Sequence, residues 1–274
     1  MPTGRTSDAN RVLWSTYTPE GPGTLELRQR QPDHLDAQAW GPGRDWLLAQ
    51  APAFVGQSDN VDTFEPPPQL RRRWKSSPFV LGRTGIVSDA LVAAVFGQKV
   101  QTKKAKDSRR LLAKRHGSKA PGPYPGHILP SAEQLSNMTY SDFHKLGVER
   151  KRAASLLRGA QELVRYPNVG KETADAFKRR FENVRGIGPW STNMAAVSIF
   201  GDADAVPLGD YHIPNTVSWN LAREPRATDD RMLELLAPYA GHRWRVIMLA
   251  KATGSAPKYG ARLSLTSDGI TRGR

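Results

Sequence analysis

The chain has 274 residues, 38% of them hydrophobic, enough for one large domain or two modest ones, each with its own core. Its 40 Lys and Arg against 26 Asp and Glu give a formal charge of +14. A surface of that sign gathers phosphates and releases their counterions, so nucleic acid is the leading partner, ahead of anionic membrane surfaces and acidic proteins. The absence of cysteine excludes disulfides, Cys-ligated zinc and iron-sulfur clusters. No run approaches the ~18 apolar residues of a membrane span, and MPTGRTSDANRVLW has no apolar signal core, so no membrane partner and a cytoplasmic location are expected.

In chain order, LWSTYT and TLELRQRQ alternate apolar and polar residues around the turn-prone PEGPG, the pattern of a half-buried antiparallel pair. GRDWLLAQAPAF reads as a short helix. VDTFEPPPQL is too rich in proline for either regular structure and marks a boundary, giving a small N-terminal α+β domain over residues 1–80. From about Ser88 the chain becomes a succession of helical segments, with Ser88, Ser131 and Thr139 or Ser141 as capping residues and the Pro/Gly-rich SKAPGPYPGHILP as a loop between two of them. The reading is a mainly α protein whose all-α core spans residues 81–258, followed by a polar tail over 259–274.

Within the core, KETADAFKRRFENV places Ala174, Phe177, Phe181 and Val184 at helical spacing, and WSTNMAAVSIF does the same with Met194, Val197 and Ile199. Between them lies RGIGP. Gly186 and Gly188, on either side of Ile187, let the backbone reverse within a few residues and approach another surface, and Pro189 suits the first turn of a helix. The free backbone N–H groups of the hairpin Arg185, Gly186, Ile187, Gly188 and Pro189, the last of which has none, form with the positive end of the second helix a site for a phosphate oxygen. An ordinary corner between two helices is the alternative. Downstream, DAVPLGDYHIPN puts Asp210 ahead of another helix. It reads as an N-cap and equally as a carboxylate kept ionised by the helix dipole, and the two roles are compatible. Pro214 falls late in that helix's first turn and would make it imperfect.

GIGPW followed by PLGDY, in this order and spacing, resembles the helix-hairpin-helix DNA glycosylase superfamily. VFGQKVQ and HKLGVERKRAASL are similar to segments of its alkylbase members, the 3-methyladenine DNA glycosylase II type, and the resemblance spans roughly residues 85 to 255. It implies base excision repair on duplex DNA, in which a damaged base is flipped into a pocket and its N-glycosidic bond broken. Asp210 would be the catalytic carboxylate, stabilising positive charge on the sugar and positioning the attacking water. Bifunctional members that also cut the strand carry Lys directly after the hairpin; here Trp190 stands there, implying no lyase activity. Trp190 and Tyr211 match positions lining the base pocket, with core packing as the alternative, and Met194 stands where a third aromatic is common. No Trp is found near Lys251, where another pocket ring would be expected. Gln98 and Lys99 fall where the family fills the gap left by the flipped nucleotide, although a Lys there could pair with phosphate or belong to a solvated helix end.

The resemblance implies no redox or nucleotide cofactor, and a monovalent cation on the hairpin carbonyls as in relatives. The six histidines show no metal-ligand spacing, so no zinc site is inferred. A monomer is the default for an enzyme that wraps one face of a duplex. Two other readings compete: a helix-hairpin-helix protein that binds damaged or abasic DNA with weak or no catalysis, and an unrelated basic scaffold for RNA or acidic partners.

Overall fold

The computed structural model describes residues 6–8, 10–31 and 34–257. The chain opens with an antiparallel meander of β1 (Thr6–Asp8), β2 (Arg11–Thr18), β3 (Gly21–Gln31) and β4 (His34–Trp40), ordered in the sheet as in the sequence. The expected pair is β2 and β3, joined by a two-residue turn in which Thr18 opposes Gly21. The Thr18 hydroxyl closes the turn, donating to the Gly21 carbonyl at 2.8 Å and accepting the Glu20 N–H at 3.1 Å. β4 alternates Leu35, Ala37 and Ala39 with Asp36 and Gln38, but it is an edge strand exposed along most of its length. Helix α1 (Arg44–Phe54) packs on β3 and β4, burying Leu47 and Ala51 one turn apart. Trp14, fully buried, stacks on Phe54 with ring centroids 4.6 Å apart.

The proline-rich stretch holds more structure than its composition suggests. Two 3-10 turns, Val61–Thr63 and Pro68–Leu70, run into α2 (Arg71–Ser76), since a single 3-10 turn needs few bonds and accepts Pro at its start. Phe64 and Leu70, on the N-terminal side of the expected break at residue 80, are buried among Val217, Met232, Trp244 and Ile247 of the helical region. Asp59 is fixed there too: its Oδ1 accepts from Arg245 Nη2 at 2.6 Å, both side chains buried, and its Oδ2 accepts the Leu81 N–H at 2.8 Å.

The helical region comprises α3 (Val87–Gly97), α4 (Thr102–His116), α5 (Ala132–Ser136), α6 (Tyr140–His144), α7 (Arg150–Arg165), α8 (Ala174–Glu182), α9 (Pro189–Phe200), α10 (Ile213–Ala222), α11 (Asp229–Leu236) and α12 (Arg243–Thr253). The Pro/Gly-rich loop after α4 folds back as a two-residue ladder, β5 (Ser118–Lys119) on β6 (His127–Ile128). Ser131 and Thr139 cap α5 and α6 through reciprocal capping boxes, as expected. Ser88 does not cap α3. The backbone before that helix is held by Thr84 and Gly85 N–H bonds to the Ser198 and Ile199 carbonyls, so the helix starts earlier, without a side-chain cap.

Besides the cluster around Trp14, Leu25 and Leu47 of the sheet region, two apolar clusters form in the helical region. One gathers Leu91, Phe96, Leu156, Phe177, Phe181 and Ile187 from α3, α7, α8 and the hairpin; the other joins α10, α11 and α12 to the segment around Phe64 and Leu70. Each fully buried Phe contributes roughly 1.5–3 kcal/mol. Met194 on α9 packs against both clusters, so α9 is their common wall.

Candidate active site

Thr173 caps α8, its hydroxyl accepting the Ala176 N–H at 3.2 Å, and Phe177 and Phe181 stack beneath that helix with centroids 4.8 Å apart. Lys178, on the other side, pairs with Asp202 at 3.0 Å and Asp175 at 3.1 Å. The chain then reverses over residues 184–188, with the Ile187 N–H donating to the Val184 carbonyl at 2.9 Å. Ile187 is buried under the hairpin, next to Gly159 of α7, where a Cβ would lie 2.8 Å from its Cδ1. It anchors the turn and presents neither its side chain nor its N–H outward, which corrects its assignment to the outward backbone surface.

The two hairpin glycines serve different ends. Gly186 has φ +92°, and a Cβ there would overlap Ser155 Oγ of α7, so both conformation and packing require glycine. Gly188 has an extended φ of −102° and no neighbour within 4 Å of a Cβ, so its missing side chain leaves open space in front of the backbone. Pro189 opens α9 where its lack of an N–H forfeits no bond. Arg185 is exposed at the tip.

Side chains brace the hairpin from behind. Arg158 Nε donates to the Arg185 carbonyl at 2.9 Å, and Gln98 Nε2 donates to the Gly186 carbonyl at 3.0 Å and to Ser191 Oγ at 2.8 Å. Gln98 is therefore a strut between the end of α3 and the hairpin. It does not project as a wedge, because its amide is taken up by these two acceptors. Lys99 does project: it is exposed at the tip of the turn after α3 with φ +52°, one of two non-glycine residues with positive φ among the described residues. A left-handed backbone at such a residue costs about 1–2 kcal/mol, and the Gln98 bonds hold it in place.

Across from the hairpin, Gly209 has φ +81° and donates its N–H to Asp229 Oδ2 at 2.7 Å, which sets the turn that presents Asp210. Asp210 Oδ1 accepts the His212 and Ile213 N–H groups at 2.8 and 2.9 Å, and Oδ2 accepts Trp190 Nε1 at 2.8 Å. Helix α10 begins at Ile213, which puts Pro214 early in the first turn, where it breaks no bond, and not late as the sequence suggested. Burial pushes the Asp210 carboxyl up, but the Trp190 indole, the two backbone N–H groups and the Lys251 charge outweigh it and hold the group below its usual range. It is an anion at neutral pH.

Trp190 is half-buried, its far edge 3.3 Å from where a Cβ on Gly97 would sit. Its ring therefore reaches from the end of α3 to the Asp210 carboxylate, a use as hydrogen-bond donor that neither the core nor the pocket reading anticipated. Tyr211 is 84% exposed, touching His212 edge-on at 4.9 Å, because the Asp210 turn directs it into solvent. Met194, four residues after Trp190 on α9, packs against both apolar clusters. The Lys251 charge acting on Asp210 and the α7 braces Ser155 and Arg158 were missed as site residues, since nothing in sequence spacing relates α7 or α12 to the hairpin.

A glycine hairpin between α8 and α9, set against a carboxylate at the start of α10, defines a helix-hairpin-helix protein built to meet a phosphate backbone. The sequence profile described as HhH-GPD superfamily base excision DNA repair protein matches residues 92–240, more than half of the chain, and the chain belongs to that family. Among solved structures it is similar to a 3-methyladenine DNA glycosylase from Archaeoglobus fulgidus, at a TM-score of 0.69 and 13% identity over 90% of this chain and 87% of that one. A Clostridium acetobutylicum 8-oxoguanine glycosylase/lyase in complex with double-stranded DNA matches at 0.65 and 10% over 92% and 98%. A Schizosaccharomyces pombe 3-methyladenine DNA glycosylase in complex with abasic DNA matches at 0.56 and 18% over 70% and 93%. No curated protein matches the sequence.

Proposed function

We propose that the protein is a monofunctional DNA glycosylase that flips alkylated purines, of the 3-methyladenine and 7-methylguanine kind, out of duplex DNA and hydrolyses their N-glycosidic bond. The observation that carries this reading is the ionised Asp210 carboxylate held by Trp190 directly beside the hairpin. As the bond to the base breaks, positive charge grows on the sugar. A fixed anion stabilises that charge and orients a water for attack at C1′. An alkylated purine already bears positive charge and leaves with little acid assistance, and two of the similar structures are 3-methyladenine glycosylases.

The position after the hairpin, where a lyase would need an amine, is an indole engaged with Asp210, which favours hydrolysis alone. No redox or nucleotide cofactor takes part in the proposed reaction, a monovalent cation on the hairpin backbone carbonyls is compatible with it, and a single chain acts on the duplex in the cytoplasm. The test is release of free bases from methylated duplex DNA by the wild type and by Asp210→Asn, with strand breaks scored before and after alkali. Release that the variant loses, with breaks only after alkali, supports the reading. A second reading, a helix-hairpin-helix protein that binds damaged or abasic DNA with little or no excision, is favoured by the exposure of Tyr211, which leaves the pocket short of an aromatic wall. Tight binding to abasic duplex with no release from any lesion supports that one.

A further inference from the structure

Helix α4 carries a charge pattern that its own fold does not use. Its inner side, Ala105, Ser108, Leu112 and Ala113, is buried, and Ser108 Oγ fixes the helix's rotation by donating to the Leu146 carbonyl at 2.8 Å. Its outer side exposes Lys103, Lys104, Lys106, Arg110 and Lys114. The one acid in the helix, Asp107, is taken by Arg110 at 3.4 Å. Among the described residues no ion pair reaches Lys103, Lys104, Lys106 or Lys114. Lys103 and Lys106 are three residues apart, where like charges repel, and no acid offsets the lysines of the first turn, so the pattern works against the helix.

The position of this face identifies its use. Helix α4 starts three residues after Lys99, in the turn that Gln98 ties to Gly186 and Ser191 of the hairpin. From there its 15 residues run for about 22 Å. We propose that the outer face of α4 follows the phosphate backbone of the duplex flanking the flipped nucleotide, extending the footprint beyond the hairpin along one strand; this rests on the reading of the protein as a DNA repair enzyme. Duplex DNA offers about one negative charge per 1.7 Å of axis, a density that a row of lysines matches without reading bases. The contact is sequence-independent and sensitive to salt.

The test is the affinity of the full chain for a short undamaged duplex across a salt series, comparing wild type, Lys103→Gln/Lys104→Gln/Lys106→Gln, and a control of equal charge change on dispersed exposed lysines, Lys75→Gln/Lys119→Gln/Lys171→Gln. Each lost phosphate contact lowers the slope of log affinity against log salt by about 0.9, so the α4 triple variant should lose between 2 and 3 in slope, as about 0.9 per contact requires, and the control less than 1. Equal slopes in the two variants overturn the inference while leaving the repair reading intact. A wild type that shows no salt-dependent duplex binding overturns both.

Discussion

The indole of Trp190 donates to Oδ2 of Asp210 at 2.8 Å, so the first turn of the helix after the hairpin holds the carboxylate that opens α10. Two segments 20 residues apart in the chain are thereby fixed to each other.

Trp190→Phe keeps a ring and removes the donor. The Asp210 carboxyl lies below its ordinary range partly because of that bond, so its pKa should rise, and activity, which needs the anion, should fail at a higher pH on the acid side. A hydrogen bond to a charged group is worth about 1.5–3 kcal/mol, which predicts a loss of about ten-fold or more in single-turnover base release at neutral pH. A pH profile identical to that of the wild type would exclude this positioning role.

The two hairpin glycines should answer differently to alanine. Gly186→Ala meets both a left-handed backbone and Ser155, and should lose several kcal/mol of stability in a denaturant titration, with part of the loss recovered by Ser155→Ala. Gly188→Ala has room and an ordinary φ, so its melting temperature should stay near that of the wild type while its affinity for duplex falls. Comparable melting temperatures for the two variants would contradict the assignment.

Asp89, buried on α3, accepts a hydrogen bond from Thr16 Oγ1 of β2 at 2.8 Å. Burial pushes its carboxyl up to about 7, against the opposing effects of Thr16 and the Arg109 charge. For an acid whose pKa is raised by folding, the associated stability is complete below the unfolded value near 4 and is lost as pH rises through about 7. Asp89→Asn should therefore flatten the fall in thermal midpoint between about pH 4 and 7, the window those two values set, and gain a few kcal/mol at the upper end. Parallel curves for the two proteins would rule this out.

Asp59→Ala should leave Arg245 as an uncompensated buried cation and cost about 3–5 kcal/mol in a denaturant titration. A cost below about 1 kcal/mol, the range of an exposed pair, would show that water reaches the guanidinium.

The helices and the hairpin were legible because their signals are local. Phe177 and Phe181 recur at helical spacing, Ser131 and Thr139 cap the helices that begin after them, and Gly186 to Pro189 can hardly be anything other than a turn entering a helix. Asp210 was legible as a carboxylate ahead of α10, although the residue at the N-cap is His212 and Asp210 takes the His212 and Ile213 N–H groups from two positions before it. The features that stayed hidden depend on partners distant in sequence. Gln98 looks like a free polar residue until the hairpin arrives 88 positions later, and Phe64 joins Trp244 only when α12 packs over it. Strand β4 borrows its order from β3, and the exposure of Tyr211 comes from a turn that its own residue type does not reveal.

Ile187 sits buried beneath the hairpin, with α7 against it and Arg158 and Gln98 latched to the neighbouring carbonyls. The backbone there is ordered before any encounter. For a protein that must sample long stretches of duplex to find one altered base, this means that association immobilises no loop and release frees none. On the proposed reading of the protein as a glycosylase, search would then proceed through brief, repeated contacts, with dwell time governed by the lesion and not by the speed at which the grip assembles.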